Sequence, residues 1–378
     1  MRVLKFGGSS LASGQRFIEV ANIIKNKSQS SRLAVVVSAP QGVTNHLVAM
    51  AENISDETKL KSDLLHFKHA IENIIEDLSA TLPKFCPQHS EQVLTHWEHQ
   101  LSRYLHGATL LSFCPEHVRA CIISIGERLS VALLQSVLAV DDFQVSTIEP
   151  EQFLRTNDVA MNAVADLVLC KERFQDTYSD LNAIALMPGF IGVDSLGNVT
   201  TLGRNGSDYS AAVLAVCSEA EYCEIWTDVD GVYNADPRLI KEAQLLDYLS
   251  YQEAMELSYF GASVLHPKTI GPIAQYHIPC LIKNTGNPDA PGTLIANEND
   301  QNKRVKAISN LDDLTMVNVS GPGMKGMVGM ASRVFATMSR ENISLILISQ
   351  SSSEYCISFC IYSADANKAE QSLQEEFE

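Results

Sequence analysis

The chain has 378 residues, with 28 Lys and Arg against 45 Asp and Glu, for a formal net charge of −17. That length suits two or three domains, and 46% hydrophobic with only 19% charged residues excludes wholesale disorder. The acidic balance excludes a general affinity for nucleic acid or an anionic membrane, because both require clustered Lys and Arg.

Val3 and Leu4 lead as a strand into the loop FGGSS, a helix is predicted over about Gln15–Lys27, and LAVVVSAP (33–40) reads as a buried strand. This β-loop-α-β run predicts a parallel sheet with helices on its faces. From about Asp56 to Val140 the texture becomes strongly helical, broken at Pro83, Pro87 and Pro115. Strand-helix alternation resumes after Phe143. VSTIEP, IALMPGFIGV and YCEIWTDV read as strands, and a helix begins at Ser207. Further helices are expected over about Tyr251–Phe260 and His266–Tyr276, with IPCLIK (278–283) as the last strand of this part.

The Gly-, Pro- and Asn-rich stretch from Asn284 marks turns and a domain boundary near residues 295–305. Beyond it, DLTMVNVSG, GMASRVFATMSREN, ISLILISQ, YCISFCIY and ADANKAEQSLQEEFE read as β-α-β-β-α. A compact α+β module needs one more strand than this. The LILI run over Leu345–Ile348 is expected to be core.

The nine cysteines include no CxxC pair and read as reduced thiols of a cytoplasmic protein. The opening MRVLKFGGSS has too short an apolar run for a signal peptide, and no stretch is expected to approach the roughly 20 apolar residues of a membrane span. His89, His96, His99 and His106 fall near one helical face, where a solvated stripe is the plainer reading than a metal site.

Three segments carry chemistry. In Lys5-Phe6-Gly7-Gly8-Ser9-Ser10, two glycines after a strand let the backbone approach an anion, and a lysine supplies charge. In TLGRNGSDYS, Ser207 or Asp208 serves as a helix cap, but capping leaves unexplained an arginine between two glycines; a guanidinium there suits a carboxylate or phosphate. WTDVDGVYNADPR ends an apolar strand, where open α/β sheets bind ligands. Two turns account for its DG and DP pairs, though not for the Trp, Tyr and Arg around them.

Together these segments resemble the aspartate kinase family of the amino acid kinase fold. KFGGSS, VVVSAPQGVTNHL, ISIGERLS, TLGRNGSDYSA, WTDVDGVYNADPR, FGASVLHP and GNPDAPGTLI follow in the family's order. GPGMKGMVGMASRVFATMSRENISLILISQSSSEYCISF is similar to a regulatory ACT domain. The details look closest to the kinase portion of bifunctional aspartokinase–homoserine dehydrogenases. The resemblance implies an α/β kinase domain over about 1–300, with a mostly parallel sheet, flanking helices and a helical subregion at about 56–140. An incomplete ACT-type domain would follow over about 310–378.

It also implies an activity, transfer of the ATP γ-phosphoryl group to the side-chain carboxylate of L-aspartate, with Mg²⁺, in a cytoplasmic homo-oligomer serving synthesis of aspartate-derived amino acids. Carried over residue by residue, Lys5 offsets charge on the phosphoryl group, helped by Gly7, Gly8 and Ser9, and Asp208 orients Lys5. Ser38, Thr44 and Ser207 line the substrate site, Arg204 clamps the α-carboxylate and Glu127 holds the ammonium. Thr227, Asp228, Tyr233, Asp236 and Arg238 contact the nucleotide, as does the position of Ser263; no residue is assigned as a metal ligand.

Two departures stand out. The family's FGAKVLHP has a lysine where Ser263 stands here, and losing a cation beside a transferring phosphoryl costs on the order of a hundredfold in rate. Either the enzyme is slow, another cation such as Lys268 substitutes, or the chain is a silenced, ligand-binding regulator. The chain also ends after one ACT-like unit, so homoserine dehydrogenase activity is not expected of it.

Overall fold

The computed structural model describes residues 1–178, 180–259, 265–297, 305–321, 327–351 and 356–377. Their contacts divide into two units, Met1–Ser309 and Asn310–Glu378.

In the first unit, aliphatic and β-branched runs form β1 (Arg2–Phe6), β2 (Leu33–Val37), β3 (Val145–Thr147), β4 (Ile184–Pro188), β5 (Ile191–Val193), β6 (Val199–Thr201), β7 (Tyr222–Thr227), β8 (Tyr248–Ser250), β9 (Cys280–Asn284) and β10 (Thr293–Ala296). One sheet runs β3-β4-β2-β1-β7-β9-β10-β8, and β5-β6 form a separate pair. Neighbours in the large sheet are parallel except β9 and β10. Every residue of β2 and β4 is buried, as in strands covered on both faces.

The covering helices are α1 (Gly14–Ser28), α2 (Val43–Glu52), α3 (Glu57–Thr81), α4 (Pro87–Leu111), α5 (Glu116–Ile123), α6 (Ile125–Ala139), α7 (Pro150–Phe153), α8 (Leu167–Thr177), α9 (Gly206–Cys217), α10 (Tyr251–Tyr259) and α11 (Pro267–Gln275). Strand alternation assigns the two faces. Leu4, Phe6, Val35 and Val37 pack with apolar residues of α1 to α6, whereas Val3, Ala34 and Val36 pack with those of α8, α9 and α11.

Three expectations are corrected here. IPCLIK is not the last strand of this unit, because β10 follows and pairs antiparallel with β9; its short TLIA run was hidden behind the turn-rich NPDAPG. β8 was likewise missed, being three residues long. The segment Glu116–Ala139 is long and apolar enough to cross a membrane by length and composition. Its most apolar window is 78% buried inside the fold, where α6 packs on α1, α4 and β4.

The second unit contains β11 (Leu314–Ser320), α12 (Met330–Arg340), β12 (Leu347–Gln350), β13 (Cys356–Tyr362) and α13 (Ala366–Phe377). Its antiparallel sheet has the order β11-β13-β12, with Ile357, Phe359 and Ile361 packed against Val334, Met338 and Leu373 of the helices. Leu347 and Ile348 are 52% and 53% exposed, so this half of the LILI run is not core, whereas Leu345 is half-buried and packs against the core. Leu347 and Ile348 lie on the edge strand, which has a neighbour on one side only.

Candidate active site

The parallel strands deliver their loops to one edge of the sheet. β1 ends at Phe6, in register with Val37 of β2 and Trp226 of β7. The three following loops, Gly7–Ser10, Ser38–Gly42 and the segment from Thr227, therefore leave the sheet side by side. From β1 the chain moves to β2 on one side, while β7 lies on the other. This is the reversal point at which open α/β sheets form a crevice.

A cavity of about 640 Å³ opens there, and its walls include Lys5, Gly8, Ser38, Thr44, Glu127, Arg204, Ser207 and Asp208. Of the residues expected at the site, these eight are brought together. Gly7 and Ser9 flank Gly8 in the chain. The main-chain N–H of Gly7 donates to the Trp226 carbonyl at 3.2 Å.

Lys5 Nζ stands 2.6 Å from Asp208 Oδ1, and the two side chains are 10% and 9% exposed. Asp208 lies in the first turn of α9, where the helix dipole favours a carboxylate. The turn ahead of that helix has left-handed backbone at Gly203 (φ 79°) and Asn205 (φ 55°). Gly203 needs that freedom, and a Cβ on it would also run into the Asn162 side chain. Arg204, on this turn, is exposed at the cavity wall and forms no ion pair or hydrogen bond among the described residues.

Glu127 comes from the first turn of α6. The helix reaches the cavity because Gly126 has no side chain; a Cβ there would meet Ala39 Cβ at 2.6 Å. Glu127 is only 4% exposed, and its Oε2 has no hydrogen-bond partner among the described residues. Burial pushes its carboxyl pKa up to about 7, against the opposing pull of the Glu127 and Ala39 main-chain N–H groups and the Arg128 charge.

Thr227, Asp228, Tyr233, Asp236 and Arg238 do not line this cavity. Thr227 ends β7, and the other four follow it at the same sheet edge. Thr227 Oγ1 bonds Asp228 Oδ1 at 3.1 Å, Arg238 Nη2 approaches Asp236 Oδ2 at 2.7 Å, and Tyr233 bridges to Leu245. Ser263 lies outside the described residues.

Lys268 is spent elsewhere. Its Nζ donates to the carbonyls of Ala163 at 2.7 Å, Leu202 at 3.0 Å and Asn162 at 3.3 Å, and to Asn162 Oδ1 at 3.0 Å. Burial lowers its pKa. It ties the 162–163 loop to the residue just before the Gly203–Asn205 turn. Neighbouring His266 accepts from the Lys268 main-chain N–H through Nδ1 at 3.1 Å. Its pKa is lowered by burial, then by the charges of Lys268 and Arg204, with Asp208 opposing.

Sequence reasoning missed Gln41, Asn45, Met161 and Phe190 on the cavity wall, and the carbonyl cage of Lys268. Gln41 and Asn45 lie within the APQGVTN segment already singled out. Met161 and Phe190 carry no chemical signal and arrive through the fold alone.

The amino acid kinase family model matches residues 1–284, and the ACT domain model matches residues 317–377. The chain is 45% identical to a bifunctional aspartokinase/homoserine dehydrogenase of Haemophilus influenzae, over 100% of this chain and 46% of that protein. It is 44% identical to the enzyme of the same description from Buchnera aphidicola, over 100% and 47%. The chain thus spans about half the length of these curated relatives. Among solved structures, E. coli aspartokinase III in complex with aspartate and ADP superposes with a TM-score of 0.83 at 29% identity, covering 96% of this chain and 78% of that one. Fold, motif order and these matches agree: the chain belongs to the amino acid kinase family, and its relatives in sequence and structure are aspartokinases.

Proposed function

We propose that this chain is an ATP-dependent kinase that phosphorylates the side-chain carboxylate of L-aspartate, giving 4-phospho-L-aspartate and ADP. One observation carries the substrate assignment. Glu127, whose buried Oε2 has no hydrogen-bond partner among the described residues, and the uncommitted guanidinium of Arg204 line the same cavity. An α-amino acid offers each its complement, an ammonium to Glu127 and a carboxylate to Arg204. The aspartate and ADP held by the E. coli relative support the same reading.

In the reaction, an oxygen of the aspartate side chain forms a bond to the γ-phosphorus as the bond to ADP breaks. The attacking carboxylate is already ionised, so no general base is needed; positioning and charge neutralisation do the work. Lys5, steered by Asp208, meets the charge on the transferring group, and the main-chain N–H groups of Gly8 and Ser9 supply further donors, that of Gly7 being committed to the Trp226 carbonyl. Ser38, Thr44 and Ser207 shape the substrate wall. Thr227, Asp228, Tyr233, Asp236 and Arg238 hold the nucleotide. Mg²⁺ would enter with the nucleotide, bound by phosphates and water; the cavity carboxylates have other tasks, Asp208 paired with Lys5 and Glu127 reserved for the substrate ammonium. Self-association is part of the reading, supported by Met316, Leu347 and Ile348, which expose apolar surface in the second unit.

A substrate panel tests the assignment. ADP release should depend on L-aspartate and be absent with succinate, which lacks the ammonium, and with N-acetyl-L-aspartate. Equal turnover of succinate would remove Glu127 from substrate recognition.

A further inference from the structure

Outside this cavity, one group of three metal-ligating side chains converges among the described residues: His46, Asp63 and His66, each offering a donor atom within 4.8 Å of the others. α2 and α3 form a helical hairpin that turns over Asn53–Asp56. Asp63 and His66, three apart on α3, share a face, and His46 on α2 comes level with them across the hairpin. His46 Nδ1 lies 3.1 Å from Asp63 Oδ1, and the imidazoles of His46 and His66 stack with centroids 5.3 Å apart. His46 and Asp63 are half-buried; His66 is exposed and has no hydrogen-bond partner among the described residues.

An ordinary hydrogen bond accounts for His46 and Asp63. It gives no reason for a second imidazole stacked over the first. The geometry points to a binding site for a divalent transition-metal cation of the zinc, cobalt or nickel class, with a ring nitrogen from each histidine and one Asp63 oxygen as ligands. Two imidazoles and a carboxylate select such borderline ions over Mg²⁺, which takes oxygen ligands. Bonds of about 2.0–2.1 Å in a tetrahedron place donors roughly 3.3 Å apart. The His46–Asp63 pair already meets that spacing, and rotation of the exposed His66 side chain closes the remainder, with water completing the shell.

The site has a structural consequence. Thr44, Asn45 and Val48, on the same short helix as His46, line the 640 Å³ cavity. A bound cation would clip that wall to α3, so occupancy stabilises the helix that borders the proposed aspartate site.

The test uses the whole chain, stripped with a chelator and titrated with Co²⁺ while visible d–d absorption is recorded. One equivalent should bind, be displaced by Zn²⁺, and raise Tm by several degrees at saturation, since a ligand that binds only the folded state stabilises it. H66A and D63N should each weaken Co²⁺ binding at least tenfold, with Tm in chelator little changed for H66A because its side chain is exposed and makes no hydrogen bond among the described residues. H66D, which retains a ligand, should bind better than H66A. The exposed histidines on α4 provide the control. Stoichiometric binding that survives H66A and D63N but is lost in the H96A/H99A double variant would overturn the assignment. So would the absence of stoichiometric Co²⁺ binding to the unaltered chain.

Discussion

Lys5 at the end of the first strand and Asp208 in the first turn of α9, far apart in sequence, meet at 2.6 Å in a buried pair. The contact joins the glycine loop after β1 to the arginine-bearing turn before α9. In the proposed reaction it would set where the transferring phosphoryl sits relative to Arg204. Replacing Lys5 with Ala should lower kcat by about 10²- to 10³-fold, the range seen when a charge-stabilising donor is removed. Asp208→Asn, which keeps the shape but loses the charge that steers Lys5, should lower kcat less. Steady-state kinetics at saturating ATP and aspartate provide the measurement.

Glu127 couples function to pH. With its carboxyl pKa near 7 in the fold and near 4.3 in the unfolded chain, the folded state binds the proton more tightly. Stability is therefore greatest at low pH with respect to this group, declines as pH rises between about 4.5 and 7, and stays reduced above 7. The difference is on the order of 3 kcal/mol. Glu127→Gln should raise Tm at pH 8, have little effect at pH 5, and raise the aspartate KM sharply. An unchanged Tm at pH 8 would show that the carboxylate is not penalised by burial.

The same group should make aspartate binding release protons. The substrate ammonium favours the ionised carboxylate, so at pH 7 roughly half a proton leaves Glu127 on binding. Calorimetry in buffers of different ionisation enthalpy reads this number directly. Glu127→Gln should abolish its contribution.

Lys268 makes a different prediction from the one its sequence position suggests. With its ammonium on the carbonyls of Ala163, Leu202 and Asn162, it positions the Arg204 turn and does not reach for phosphate. Lys268→Met should cost about 2 kcal/mol of stability, as expected for charged hydrogen bonds lost in a partly buried site. It should raise the aspartate KM more than it lowers kcat. A large fall in kcat at unchanged KM would instead assign it to the phosphoryl group. Because this cation is committed, Ser263→Lys should increase kcat; no increase would mean that another cation already serves.

Much of this was legible in the chain. The order KFGG, APQG, GE, GRNGSD and WTDVDG announced both the family and the loops that meet at one sheet edge, because each loop follows an apolar strand or opens a helix. Short strands such as Thr293–Ala296 were not legible, since their pairing comes from β9 and β8 rather than from their own composition. The edge-strand exposure of Leu347 and Ile348 was hidden because an apolar run reads the same at the centre and at the rim of a sheet. The carbonyl cage of Lys268 depends on a loop about a hundred residues away in sequence, at Asn162 and Ala163, and local spacing cannot report it.

Aspartate phosphorylation at the Lys5–Arg204–Glu127 cavity would yield an acyl phosphate that hydroxylamine traps. Purified protein is incubated with Mg-ATP, L-aspartate and hydroxylamine, and the hydroxamate is measured. Aspartate-dependent hydroxamate, lost in Lys5→Ala and restored only at high aspartate in Arg204→Ala, is the predicted result. No hydroxamate above the Lys5→Ala background, from protein that still binds ATP by calorimetry, would contradict the account.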